Sequence, residues 1–232
     1  MTAVARLTLS SDTRARNAEY LGSTLALRGV VQAAGQHDDL PSTDHDKDRC
    51  GAAVAVAAAM LRGPDGARAL IEGLRAPAAG NASRSAVVER AGEELRTQRT
   101  LSIATVQRLQ DLLFEVNSDG EPGTDRNGQE LHFRVAGLPA RRFVESPESK
   151  DWPVRLSALL QPGEAVPLFL ENQGQEIGHI ILAGRNARGG LYLYDSLRSP
   201  TLMEITEPDA AERLARAMGF HSRYIVRVSS NP

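Results

Sequence analysis

The hydrophobic period changes partway along the chain, and that change limits the folds open to it. From residue 51, four segments, AAVAVAAAMLRG, PDGARALIEGLRA, SRSAVVERAGEELRT and SIATVQRLQDLLFEV, carry apolar residues three and four apart, the spacing of one helix face. In the last, Ser102 precedes Ile103, Val106, Leu109, Leu112 and Leu113, an amphipathic stripe. After one further helix candidate, WPVRLSALLQPG, the segments shorten: AVPLFLEN, IGHIILAG, GLYLYDS, LMEIT and RYIVRVSS, with PDAAERLARAMG as a helix before the last. Their branched and aromatic content reads as strands. QGQE and RNARGG are hairpin-length turns, which predicts that the first three strands form an antiparallel meander. The fold class is therefore α+β, with a helical first half and an antiparallel β-sheet second.

A chain of 232 residues has the size of one domain. Residues 1–45 hold few large apolar side chains and run into AAGQHDDLPSTDHDKDR, residues 33–49, a loop-like mixture. They are expected to form an extended or loosely packed N-terminal arm with one short helix near Asn17 to Val31. Residues 46–232 form the domain. NSDGEPGTDRNGQ, residues 117–129, reads as a turn-rich connector.

The 27 basic and 29 acidic side chains are interspersed, which argues against nucleic acid or an anionic membrane surface as partner. The longest apolar block, Ala52 to Leu61, is about half the length of a membrane span. The N-terminus lacks the apolar core of a signal peptide. A single cysteine, Cys50, excludes an intrachain disulfide and any zinc site built from several thiolates. A soluble protein of a reducing cytoplasm is expected, or one delivered by a specialised secretion system without a cleaved signal.

Asp44, Asp46 and Asp48 have the alternation of a calcium loop, but Arg49 and Ala55 stand where glycine and a bidentate glutamate are needed. A solvated loop whose Asp46 or Asp48 caps the following helix is the expected arrangement. His37, His45, His132 and His221 lack metal-ligand spacing. No cofactor or metal is implied.

Three residues carry candidate chemistry. Cys50 heads the first core helix, His179 lies in the second strand of the meander, and Asp195 ends the third. A thiol is a nucleophile as its thiolate, which a helix N-terminus and a neighbouring imidazolium both stabilise. Adjacent antiparallel strands can bring His179 beside Asp195, the order a base and its orienting group require. Read one at a time, each residue also has a plain structural role: a buried small hydrophobe, a strand histidine, a turn aspartate.

The segments DRCGAAVAVAAAML and LSALLQPGEAVPLFLENQGQEIGHIILAGRNARGGLYLYDSL resemble the papain-like cysteine peptidase superfamily. The second is similar to a run in bacterial leader-cleaving peptidases and type III effector cysteine proteases: a helix, a strand, a GH strand, a turn, and a strand ending in Asp. The resemblance implies a papain-like fold, Cys50 as nucleophile, His179 as general base and Asp195 as the residue orienting it. It implies a hydrolase, a protease or an amidase or deamidase, working on a protein or peptide substrate through an acyl-enzyme; many members are toxins or effectors. Many also place a glutamine about six residues before the cysteine to complete the oxyanion hole with the cysteine amide. Here that position is Asp44, which leaves the Cys50 amide and Gln36, further upstream, as oxyanion-hole candidates. The alternatives are a catalytically inactive papain-like domain that binds a protein partner, and a transglutaminase-like acyltransferase.

Overall fold

The structure is a computed structural model that describes residues 11–35, 49–118, 126–137, 142–145, 160–161, 165–172, 178–185, 190–196, 202–205 and 224–230. Among these, six helices precede all six strands: α1 Ser11–Ala34, α2 Cys50–Leu61, α3 Pro64–Ala78, α4 Ala82–Gln98, α5 Ile103–Ser118 and α6 Arg126–Val135. The strands are β1 Arg142–Glu145, β2 Ala165–Asn172, β3 Gly178–Arg185, β4 Leu191–Tyr194, β5 Leu202–Ile205 and β6 Tyr224–Ser230. The class is α+β, as the change of period predicts.

Helix α2 is the centre. Every residue from Cys50 to Met60 is buried, the condition of a helix apolar on all sides. It packs against α1, α3, α5 and α6 and against β2 and β3. Seven of its twelve residues are alanine or glycine, all within the run GAAVAVAAA; these short side chains let neighbours approach from every direction.

The flanking helices begin where local chemistry dictates. Pro64 opens α3. The Asn81 side chain accepts from the Arg84 N–H at 3.1 Å to start α4. Ser102 Oγ accepts from the Thr105 N–H at 3.2 Å to start α5. Ile103, expected on the buried stripe of α5, is 44 % exposed, whereas Val106, Leu109, Leu112 and Leu113 are buried.

Within the described part of the first residues, the helix expected near Asn17 to Val31 is longer and more tightly packed than the sequence suggests. Ser11–Ala34 is one 24-residue helix, and Leu27, Val31 and Ala34 lie in the main core. Apolar residues four apart outweigh the scattered arginines that make this segment look loosely held. Similarly, α6 begins at Arg126, inside the segment read as a connector, and β1 falls where no strand is expected.

The sheet is antiparallel throughout, in the order β1-β6-β2-β3-β4-β5. The β2-β3-β4 meander is present, with Leu168 opposite Ile181 and Leu182 opposite Tyr194. The last strand inserts between β1 and β2, a long-range pairing that no local pattern announces. Ile180, Leu182 and Tyr194 join the helical core. The alternate residues Ile181, Ala183 and Leu193 are also buried but outside that cluster, so this part of the sheet is covered on both faces. Gly184 has a specific role: a Cβ there would run into the ring of Tyr192 on the neighbouring strand.

Most of the expected helix WPVRLSALLQPG, all of PDAAERLARAMG, the turn QGQE, most of RNARGG, and residues Gln36, Asp44, Asp46 and Asp48 lie outside the described residues. No described helix is long and apolar enough to cross a membrane.

Candidate functional site

Cys50 is the first residue of α2 and is 7 % exposed, a free thiol at the edge of the core. The residue before it, Arg49, occupies the N-cap position and supplies no side-chain cap. The first amides of a helix have no intrahelical acceptor, and the positive end of the helix dipole lies among them. The end of α2 that carries Cys50 thus has the backbone polarity that favours an anion.

β3 places residue 179 second in the strand, opposite Leu170 of β2. The side chain of His179 lies outside the described residues. The ladder between β3 and β4 spans Leu182 to Arg185, so the backbone at 178–181 is paired with β2 alone among the described strands. Strand residues alternate between faces. Position 179 therefore belongs to the register set of Ile181 and Ala183, and Ile180 to the set that meets the helices.

Asp195 directly follows β4 and is 6 % exposed. Tyr194 is opposite Leu182; continuing that register by one residue would set Asp195 opposite Ile181. Positions 179 and 195 then fall in one register set of neighbouring strands. Burial, with the Asp195 charge adding to it, pushes the Tyr194 phenol above its ordinary range, and its hydroxyl donates to the Val31 carbonyl at 3.3 Å. Burial pushes Tyr192 up to about 12, against a smaller opposing pull from Arg28. Both tyrosines are neutral at physiological pH.

A charged cluster invisible in the local sequence adjoins Cys50. Arg49 and Asp111 of α5 form a buried ion pair, Arg49 Nη1 donating to Asp111 Oδ1. The Arg49 guanidinium lies 5.1 Å from the centroid of the Phe114 ring, within cation–π range. Sequence spacing offers no signal for it, since the partners lie 62 positions apart. Among the described residues no group of three or more His, Cys, Asp or Glu side chains is arranged to hold a metal.

No protein-family model and no curated protein matches the chain. Among solved structures, it is similar to the Pseudomonas avirulence protein AvrPphB, with 14 % identity over 69 % of this chain and 90 % of that one and a TM-score of 0.35.

Proposed function

We propose that the chain is a papain-like cysteine hydrolase acting on an amide of a protein or peptide. The observation that carries this reading is the placement of Cys50 as the first residue of a buried central helix packed on an antiparallel sheet, with position 179 on β3 of that sheet and 195 directly after its neighbour β4. The resemblance of the two segments around these residues supports it.

In this reading His179 takes the proton of the Cys50 thiol, and the thiolate attacks the substrate carbonyl carbon to form a C–S bond. The C=O electron pair moves to oxygen, where the Cys50 amide at the positive end of α2 stabilises it. Collapse of the intermediate breaks the C–N bond, and the amine leaves with the proton from His179. Water, deprotonated by His179, then cleaves the thioester and regenerates the thiol. Asp195 orients the imidazole. A peptide nitrogen as leaving group makes the enzyme a protease, and a side-chain amide makes it a deamidase.

Cys50 is the sole cysteine, so alkylation by iodoacetamide reports on it alone. Labelling near neutral pH should be at least about tenfold faster in the wild type than in His179→Ala, because the imidazole is what raises the reactivity of the thiol. Equally slow labelling in both would mark an inert buried thiol and end the proposal.

A further inference from the structure

Two consecutive residues of α5 hold the two ends of the segment that leads into Cys50. Gln110, 2 % exposed, donates through Nε2 to the carbonyl of Gly35 at 2.8 Å, just after α1. Asp111, 8 % exposed, accepts from Arg49, itself 3 % exposed and directly before Cys50. The Phe114 ring lies beneath the guanidinium, and Arg108 Nη1 approaches the other oxygen of Asp111 at 3.8 Å.

A buried ion pair is a poor source of stability, because desolvating both charges offsets their attraction and apolar replacements often do as well. What such a pair supplies is direction: a planar guanidinium between a carboxylate and an aromatic ring has few orientations open to it. Arg49 is joined by one peptide bond to the residue whose sulfur must meet the imidazole. We infer that Arg49, locked by Asp111 and Phe114, is a positioning residue for Cys50, fixing the first turn of α2 and with it the direction of the Cys50 thiol. This rests on the Cys50–His179 reading above. Arg49 touches no reacting atom in this scheme; it acts through the backbone of its neighbour.

The test is a cycle of alkylation rates on the full chain, with iodoacetamide as probe. Wild type, His179→Ala, Asp111→Asn and the Asp111→Asn/His179→Ala double variant are compared near neutral pH. If Asp111 and Arg49 position the thiol, His179→Ala slows labelling at least tenfold in the wild-type background and less than threefold in the Asp111→Asn background. An equal slowing in both backgrounds overturns the inference while leaving the cysteine–histidine reading intact. No slowing in the wild-type background overturns both. Where Asp111→Asn fails to fold, Arg49→Lys gives the same cycle, since it keeps the charge and loses the planar fork. Asp111→Glu, which restores a carboxylate, should recover the His179 dependence that Asp111→Asn loses; failure to recover it would also count against the positioning role.

Discussion

His132 shows how a single buried polar residue sets a condition on the whole fold. It lies in α6 with 1 % exposure, and neither ring nitrogen has a hydrogen-bond partner among the described residues. Burial lowers its pKa from the ordinary 6.5 to about 4, with the Leu113 backbone pulling weakly the other way. Between these values the unfolded chain takes up a proton that the folded chain refuses. The fold therefore loses nothing from His132 above about pH 6.5 and loses stability as pH falls toward 4, by about 3 kcal/mol in all. Replacing His132 by Leu removes this step. Urea unfolding of the two proteins should show their stability difference changing by about 2–3 kcal/mol between about pH 7 and pH 4.5, in favour of the variant at low pH. An unchanged difference would mean the imidazole is protonated inside the fold.

At the scale of elements, the entry to α5 and the crossing of α3 over α6 carry specific requirements. Glu94 accepts from the Ser102 N–H at 2.9 Å and from Thr105 Oγ1 at 2.8 Å. Burial alone would raise its pKa, but these bonds and Arg90 bring it below its ordinary value. Ser102→Ala removes the cap of α5 and should lower stability by about 1 kcal/mol, read as a shift in the thermal midpoint. Gly73 of α3 faces Val135 of α6 so closely that a Cβ would run into the Val135 carbonyl. Gly73→Ala should cost about 1–3 kcal/mol through overpacking, despite alanine's better helix propensity; a gain in the thermal midpoint would show that the two helices separate freely. The starts of α3 and α5 are legible in the sequence because Pro64 and Ser102 act within one turn of themselves. The β2-β3-β4 meander is legible because its turns are short. By contrast, β6 pairs with β1 and β2 across a long stretch of chain, and α6 follows a turn-rich run that masks its beginning. The candidate site divides in the same way. Cys50 sits at a visible change from polar to apolar sequence, whereas the Arg49–Asp111 pair exists only because α2 and α5 pack together.

For the molecule as a whole, α1 decides whether the first residues belong to the core or hang from it. Leu27 is fully buried and Val31 nearly so, and α1 packs against α2, α3 and α5. The Tyr194 hydroxyl of β4 donates to the Val31 carbonyl, and Gln110 of α5 to that of Gly35, so the helix is tied to both the sheet and the helical layer. A loosely held arm would leave stability unchanged when its apolar residues are cut back. A wall of the core would not: Leu27→Ala should cost about 2–5 kcal/mol, the removed methyl groups and the residual cavity both contributing. Omitting residues 1–35 strips one whole side from α2, whose alanines have little apolar area of their own to spare. That shortened chain should lose its single cooperative unfolding transition in circular dichroism and bind a hydrophobic dye. A sharp transition near the full-length midpoint would instead show that α2 and the sheet close on each other without α1.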